Sequence, residues 1–274
     1  MNRRKFLKTT ATAAAGAVGG RYVVLLAGAL AGDGKAEVVI DQATDPPLKF
    51  SDAAPNPNAR YAMLIDAEKC IGCHSCAIAC RNEFNVPPGV WKSWVKVVEV
   101  GKQKLFLPRM CNHCDDPPCV AACPVKASYK RDDGVVLVRY DRCIGCKACM
   151  TACPYDARFV HPIKSVVDKC TFCAHRIDQG REPACVEACP TRARIFGNVN
   201  DPKSEIAQLL GTTAVQTLKA GLGTHCKVYY ANADQRTFGR LKLSPAPAEA
   251  VHDYMDSMPA PAKDAFEKYH RNVY

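Results

Sequence analysis

Sixteen of the seventeen cysteines in this 274-residue chain fall into four blocks of four. The first is Cys70, Cys73, Cys76 and Cys80, and the second is Cys111, Cys114, Cys119 and Cys123. The third is Cys143, Cys146, Cys149 and Cys153, and the fourth is Cys170, Cys173, Cys185 and Cys189. Blocks one and three share the run C-x2-C-x2-C-x3-C, the spacing that wraps thiolates round a cubic [4Fe–4S] cluster. Disulfide scaffolds are usually much shorter chains without such a run. Structural zinc takes two ligand pairs separated by a longer loop. A cube needs one thiolate for each of its four irons, so sixteen thiolates suffice for four cubes. The chemistry expected of the chain is one-electron transfer.

No other constellation competes with it. The chain offers no nucleophile–base pair, phosphate loop or carboxylate dyad, so the expectation is an electron-transfer subunit of an oxidoreductase complex rather than a catalytic chain. His74, His113 and His175 lie inside the blocks. With four thiolates per cluster already present, they read as packing or hydrogen-bonding neighbours. Cys226 has no partner block and reads as a small buried strand residue. Trp91 and Trp94 read either as hairpin packing or as a docking surface. Arg142 and Lys147 either bias a nearby cluster by their charge or are solvated.

The elements that must position the cysteines are short. Tyr61–Asp66 reads as a strand delivering block one, and Val135–Asp141 as one delivering block three. Both end in Asp and lead into Cys-Ile-Gly-Cys, an internal repeat that predicts a duplicated ferredoxin unit. Gly72 and Gly145 fall where the backbone must curl round a cube. The β-rich stretch from Val90 to Val100, the turn residues after it and Leu105–Leu107 predict an inserted hairpin. Pro124, Pro154 and Pro190 follow Cys123, Cys153 and Cys189, whereas Cys80 is followed by Arg81. Asp201-Pro202 predicts a helix over 203–210 with proline in its first turn, and Lys227–Tyr230 predicts a strand.

The formal charge of +10 is misleading. Residues 1–31 hold five basic and no acidic residues. Each oxidised cube with four thiolates carries roughly −2 by formal counting, so the loaded body is near neutral or mildly acidic. Nucleic-acid binding is not expected. The start, with Arg3-Arg4-Lys5-Phe6-Leu7-Lys8 before an Ala/Gly/Thr-rich stretch, reads as a Tat export signal. Arg21 splits that stretch into halves well short of the roughly 20 residues of a membrane span. Ala29-Leu30-Ala31 offers a cleavage point. No later segment is apolar for long enough to span a bilayer, so membrane contact is expected through a partner.

The segments Cys111-Asn-His-Cys-Asp-Asp-Pro-Pro-Cys119, Asp141-Arg-Cys-Ile-Gly-Cys146 and Cys170-Thr-Phe-Cys-Ala-His-Arg176 carry a resemblance. Over about residues 60–232 the chain resembles the four-cluster electron-transfer subunits of the complex iron–sulfur molybdoenzymes and their relatives. These include the subunits of polysulfide, tetrathionate and dimethyl sulfoxide reductases, of nitrite-reductase-associated systems and of the Dsr membrane complex of sulfate reducers. The resemblance implies that Cys70, Cys73 and Cys76 share a cluster with Cys189. It places Cys170, Cys173 and Cys185 with Cys80, Cys111, Cys114 and Cys119 with Cys153, and Cys143, Cys146 and Cys149 with Cys123. Blocks one and four then form one half, and blocks two and three the other.

The expected fold is therefore α+β, a duplicated bacterial-type ferredoxin with an inserted hairpin and a C-terminal extension. The expected division is a signal over 1–31, an extended lead over 32–59, the four-cluster domain over 60–200, a helix–strand extension over 201–243 and a partner-contacting tail over 244–274. The expected role is relay in the periplasm between a redox partner (a cytochrome c or a molybdopterin subunit) and a polytopic quinone-interacting membrane subunit. An export signal of its own favours types exported by themselves, the Dsr-complex and nitrite-reductase-associated subunits, and of these a Dsr-type complex is expected; the alternative is the electron-transfer subunit of a molybdopterin reductase for polysulfide, tetrathionate or a similar acceptor. If the signal is cleaved, N-terminal sequencing of the mature protein starts near Gly32; a start at Met1 excludes cleavage.

Overall fold

The computed structural model describes residues 51–233 apart from 53, 101, 102 and 163, together with Phe238. The segment over 1–31 read as an export signal, most of the segment over 32–59 and the tail over 244–274 lie outside the described residues.

Among the described residues ten strands form four small sheets. A four-stranded sheet takes the order β8–β1–β10–β9, with β1 at Tyr61–Asp66, β8 at Arg194–Asn198, β9 at Val215–Gln216 and β10 at Val228–Ala231. β1 pairs antiparallel with β8, Met63 opposite Phe196, and parallel with β10, Met63 opposite Val228. Its alternate residues Met63 and Ile65 enter the main core with Val228 and Tyr230. Ala62 and Leu64 face a second cluster with Ile195 and Ile206. A strand buried on both faces reads as a continuous apolar run, which is why YAMLI was legible.

The remaining sheets are hairpins. β2 (Ser93–Val100) and β3 (Gln103–Met110) pair with Val98 opposite Leu105. β4 (Ser128–Lys130) pairs with β5 (Val136–Val138), and β6 (Arg158–Val160) with β7 (Val167–Lys169). β4 leaves block two and β5 approaches block three; β6 leaves block three and β7 approaches block four. The hairpins thus pin the chain on either side of each cysteine loop.

The helices are short. α1 spans Ser75–Phe84, α2 Pro118–Ala121, α3 Ala148–Thr151, α4 Ala174–Ile177, α5 Ala184–Glu187 and α6 Glu205–Thr212. Pro117-Pro118 starts α2, where a missing N–H costs nothing. α6 differs from expectation. Ser204 caps it, its side chain accepting from the Ala207 N–H, so the helix starts after Pro202 rather than on it. β10, from the segment expected to be an extension, sits inside the sheet between β1 and β9.

Buried ion pairs fix the elements against one another. Glu83 on α1 accepts from His175 (2.6 Å) and Arg176 (2.9 Å) on α4, and Arg176 also reaches Glu187 on α5. Burial pushes the Glu83 carboxyl up, but those hydrogen bonds outweigh it and hold it below its ordinary value. Arg131, after β4, meets both oxygens of Asp178 at 2.8 and 2.9 Å and also pairs with Asp133. Lys92, before β2, contacts Asp168 of β7 at 2.7 Å, and Tyr140 donates to the same carboxylate.

Burial raises the Asp168 carboxyl, but the Lys92 charge prevails and lowers it. That contribution is present above the unfolded value of 3.8 and is lost as the pH falls through the lower folded value. Replacing Asp168 by Ala leaves the Lys92 ammonium buried without its counter-charge. We expect a loss of about 3–5 kcal/mol, measured by denaturant unfolding of the cluster-loaded protein at pH 7. A double replacement with Lys92→Met is expected to recover most of it.

Candidate iron–sulfur centres

The four C-x-x-C loops share one backbone device. The residue before the second cysteine is left-handed in each: Gly72 at φ +71°, His113 at +44°, Gly145 at +68° and Phe172 at +53°. That turn swings both thiols to one side. Glycine adopts it freely, whereas His and Phe carry a cost of about 1–2 kcal/mol. These two rings offset it by stacking on each other at 3.7 Å in a fully buried position. Gly72 and Gly145 also have no room for a side chain. A Cβ at Gly72 would lie 2.4 Å from the Phe106 ring of β3, and one at Gly145 would lie 2.5 Å from the Ser165 carbonyl oxygen.

The loops deliver the thiols into four groups. Cys111, Cys114, Cys119 and Cys153 line one small hollow. Cys143, Cys146, Cys149 and Cys123 line another. Cys80 lies in the field of Cys170, Cys185 and Cys173. Cys70 lies in that of Cys76 and Cys189, with Cys73 exposed in the same loop. Two packed helix pairs make this crossing. α1 carries Cys76 and Cys80 and packs on α5, which carries Cys185 and precedes Cys189. α2 carries Cys119 and precedes Cys123, and it packs on α3, which carries Cys149 and precedes Cys153. Each element gives one thiol to either group of its pair.

The groups also follow one another in space. Cys76 and Cys185 both bond the Arg194 side chain, His113 of the second block stacks on Phe172 of the fourth, and α2 packs on α3. The order is therefore the Cys70 group, the Cys80 group, the Cys111 group and the Cys143 group. The two outer loops reach the surface, with Ile71 59% and Ile144 65% exposed. The Cys80 and Cys111 groups lie between them.

The donor set fits a polynuclear cluster. None of the seventeen cysteines is paired in a disulfide. Among the described residues no three His, Cys, Asp or Glu side chains converge closely enough for a single metal ion. Burial pushes the thiols up: Cys170 to about 12, and Cys173, Cys185, Cys80 and Cys153 upward too, with neighbouring cysteines adding to the rise. Four thiolates in such a nest need a cationic core. Cys73 is the contrast: its exposed thiol is lowered by hydrogen bonding to Ser75. Backbone N–H groups already face sulfur, from Ser128 to Cys123, Val167 to Cys143 and Phe172 to Cys170, each at 3.4 Å.

The remaining sequence candidates fall as follows. His74 is exposed, while His113 is fully buried and accepts from the Val136 N–H at 3.1 Å. His175 pairs with Glu83. Trp91 lies under Arg81, and Trp94 under Arg109. Arg142 and Lys147 are exposed. Cys226 is buried beside the Cys111 group, 3.1 Å from the Tyr155 hydroxyl, two residues before β10 rather than within it. Its thiol is lowered by a hydrogen bond with Cys114, whose own thiol is raised.

Sequence reasoning missed two residues, Arg158 and Arg194. Both are buried and both bond cysteine sulfur. Their signal is a repeat: Cys153-Pro-Tyr-Asp-Ala-Arg158 and Cys189-Pro-Thr-Arg-Ala-Arg194. Each opens a strand, β6 or β8, after a left-handed turn at Asp156 or Arg192. Cys123-Pro-Val-Lys-Ala-Ser128 repeats the frame with a left-handed Lys126 and serine in place of arginine.

Thiol nests of this kind, carried on short helices and hairpins, define a ferredoxin-type [4Fe–4S] protein. Comparison with known proteins agrees. Residues 61–82 match a 4Fe-4S binding domain, and residues 102–199 match a 4Fe-4S dicluster domain. The B subunit of tetrathionate reductase from Salmonella typhimurium is 46% identical over 187 residues, 65% of this chain and 75% of that one. The B component of polysulfide reductase from Wolinella succinogenes is 43% identical over 179 residues, covering 62% of this chain and 93% of that one. The Hdr-like menaquinol oxidoreductase iron-sulfur subunit 1 of Archaeoglobus fulgidus is 37% identical over 282 residues, 84% and 98% of the two chains. This protein belongs to the same family of iron–sulfur electron-transfer subunits of reductase complexes, with four [4Fe–4S] clusters as its cofactors.

The glycine geometry yields a graded expectation. In Gly145→Ala the new methyl meets backbone, and in Gly72→Ala it meets a ring that can rotate. Both carry the left-handed cost of about 1–2 kcal/mol, but Gly145→Ala is expected to lose bound iron and Gly72→Ala to retain most of it. Iron per protein molecule after purification checks the order.

Proposed function

We propose that this protein is the electron-transfer subunit of an exported reductase complex of the tetrathionate or polysulfide reductase kind, relaying single electrons through four clusters. Bound [4Fe–4S] clusters supply one-electron acceptors and donors. The chain holds them in file, keeps water from the inner pair and tunes each through nearby donors. The observation that carries this reading is the single file of four thiol groups with surface-reaching loops at both ends.

In this reading Cys70, Cys73, Cys76 and Cys189 hold one cluster, and Cys80, Cys170, Cys173 and Cys185 the next. Cys111, Cys114, Cys119 and Cys153 hold the third, and Cys143, Cys146, Cys149 and Cys123 the fourth. The body over 60–200 is a duplicated ferredoxin, one half from blocks one and four and the other from blocks two and three. The repeated Asp-to-Cys-Ile-Gly-Cys approach and the repeated Cys-Pro-x-x-Ala frame support that duplication. The Tat-type start supports export to the periplasm, with a polytopic quinone-interacting membrane subunit at one end of the file and a large redox subunit at the other.

The identities to tetrathionate and polysulfide reductase subunits favour this over a Dsr-type placement. One observation supports a second reading, a subunit of a quinol-oxidising complex. The match to the menaquinol oxidoreductase subunit extends over 98% of that relative. A co-purifying large molybdopterin protein supports the first reading; its absence, with a membrane quinol-oxidising protein present, supports the second.

The crossed ligands have their own test. Cys80→Ala and Cys170→Ala are each expected to remove about four irons, and together no more than either alone. Cys76→Ala with Cys80→Ala, two cysteines of one block, is expected to remove about eight. Additive loss in the first pair sinks the assignment.

A further inference from the structure

Among the described residues, Arg194 and Arg158 are buried against cysteine sulfur with no carboxylate paired to either. Arg194 is 2% exposed. Its Nη2 donates to Cys76 Sγ at 3.4 Å and to Ser93 Oγ at 2.9 Å, and its Nη1 reaches Cys185 Sγ at 3.6 Å and Met110 Sδ at 3.5 Å. Arg158 is 6% exposed. Its Nη2 donates to Cys119 Sγ at 2.9 Å, and its charge also acts on the Cys149 thiol.

The pattern is the same at both places. Cys76 and Cys185 are the third cysteines of blocks one and four; Cys119 and Cys149 are the third cysteines of blocks two and three. Arg194 therefore bonds one thiol of each of two successive groups, and Arg158 bonds Cys119 of one group and acts by its charge on Cys149 of the next, the thiols of the same rank. Arg194 spans the Cys70 and Cys80 groups, and Arg158 spans the Cys111 and Cys143 groups. Neither reaches across the middle of the file, where His113 stacks on Phe172.

The groups facing each guanidinium are cysteine sulfurs: Cys119, Cys111 and Cys149 for Arg158, and Cys185 and Cys76 for Arg194. Each side chain also has a buried nitrogen with no partner among the described residues, Nη1 of Arg158 and Nε of Arg194. These donors are available to cluster sulfide as well as to thiolate.

We propose that Arg194 and Arg158 are shared potential-setting residues, each acting as the common counter-charge for one pair of neighbouring clusters and raising both members of that pair. The inference rests on the ligand groups proposed above. One electron added to a four-thiolate cluster takes its formal charge from roughly −2 to −3, with no bond made and no proton moved. A fixed positive charge in low dielectric favours the more negative form. One cation set between two neighbouring groups raises both, so the four potentials are set in two blocks rather than singly. Lysine would keep the charge but offers no planar fork to span two sulfurs.

The test is a dithionite redox titration of the cluster-loaded protein followed by electron paramagnetic resonance, with iron counted in every sample. Arg194→Gln is expected to lower two of the four midpoint potentials by at least tenfold in reduction preference, which is about 59 mV for one electron. Arg158→Gln is expected to lower the other two. Ser93→Asp keeps the guanidinium and sets a carboxylate against it, so it is expected to lower the same two as Arg194→Gln. It serves as the reading wherever the glutamine variant loses iron.

At full iron content, unchanged potentials, or all four shifting together in either variant, overturn the proposal. So does a Ser93→Asp protein whose potentials match the parent. Failure of the ligand groups themselves shows separately, in the iron counts of the paired cysteine variants.

Discussion

Sixteen thiols brought together in one small body repel each other once ionised, and every other feature of this fold answers that fact. Burial and mutual repulsion drive Cys170 to about 12 and push its neighbours up as well. A body of this kind is held together by its iron cores as much as by its apolar contacts. The main core even counts Cys76, Cys111, Cys114, Cys170 and Cys185 among its buried members. The remaining apolar material, led by Met63, Ile65, Leu107, Met110 and Tyr230, packs round the thiol file. Short helices and two- or four-stranded sheets follow from this, because the chain must return to a thiol nest every few residues.

Interleaving is what makes the pairs rigid. An element that gives one thiol to each of two groups cannot tilt without disturbing both. α1 and α5 do this for one pair, α2 and α3 for the other. The ion pairs of Glu83 with His175 and Arg176, and of Arg131 with Asp178, lock α4 to its neighbours where no long helix is present to do so. The hairpin of β2 and β3 lays Phe106 over Gly72 and joins Lys92 to Asp168, so it braces the outer loop as well as filling space.

Much of this was legible in the sequence because the cysteines carry the pattern. β1, the β2–β3 hairpin and β10 announced themselves through apolar runs. Three-residue strands such as β4, β6 and β7 were not legible, since no periodicity develops over three residues. α6 was placed two residues early because Pro202 is a common first-turn residue, whereas Ser204 made the stronger cap. Cys226 was seen as buried, but its place beside Cys114 depends on a contact over more than a hundred residues. Arg158 and Arg194 stood in a repeated Cys-Pro-x-x-Ala-Arg frame, hidden because arginine on a short strand usually reads as a solvated charge.

The position of β10 carries a consequence for how the molecule is made. β1 begins at residue 61, yet its two partners are β8, near residue 195, and β10, near residue 229. By contrast β4 pairs with β5 and β6 with β7 across short turns, and the Cys111 and Cys143 groups lie wholly within residues 111–153. Closing a long loop costs more chain entropy than closing a short one, and distant pairings form slowly. As the chain leaves the ribosome, its central stretch can shut before its flanks have met. The first cysteine loop to be synthesised is thus among the last to be enclosed, and Cys70 must wait for Cys189 until nearly the whole described body has been made.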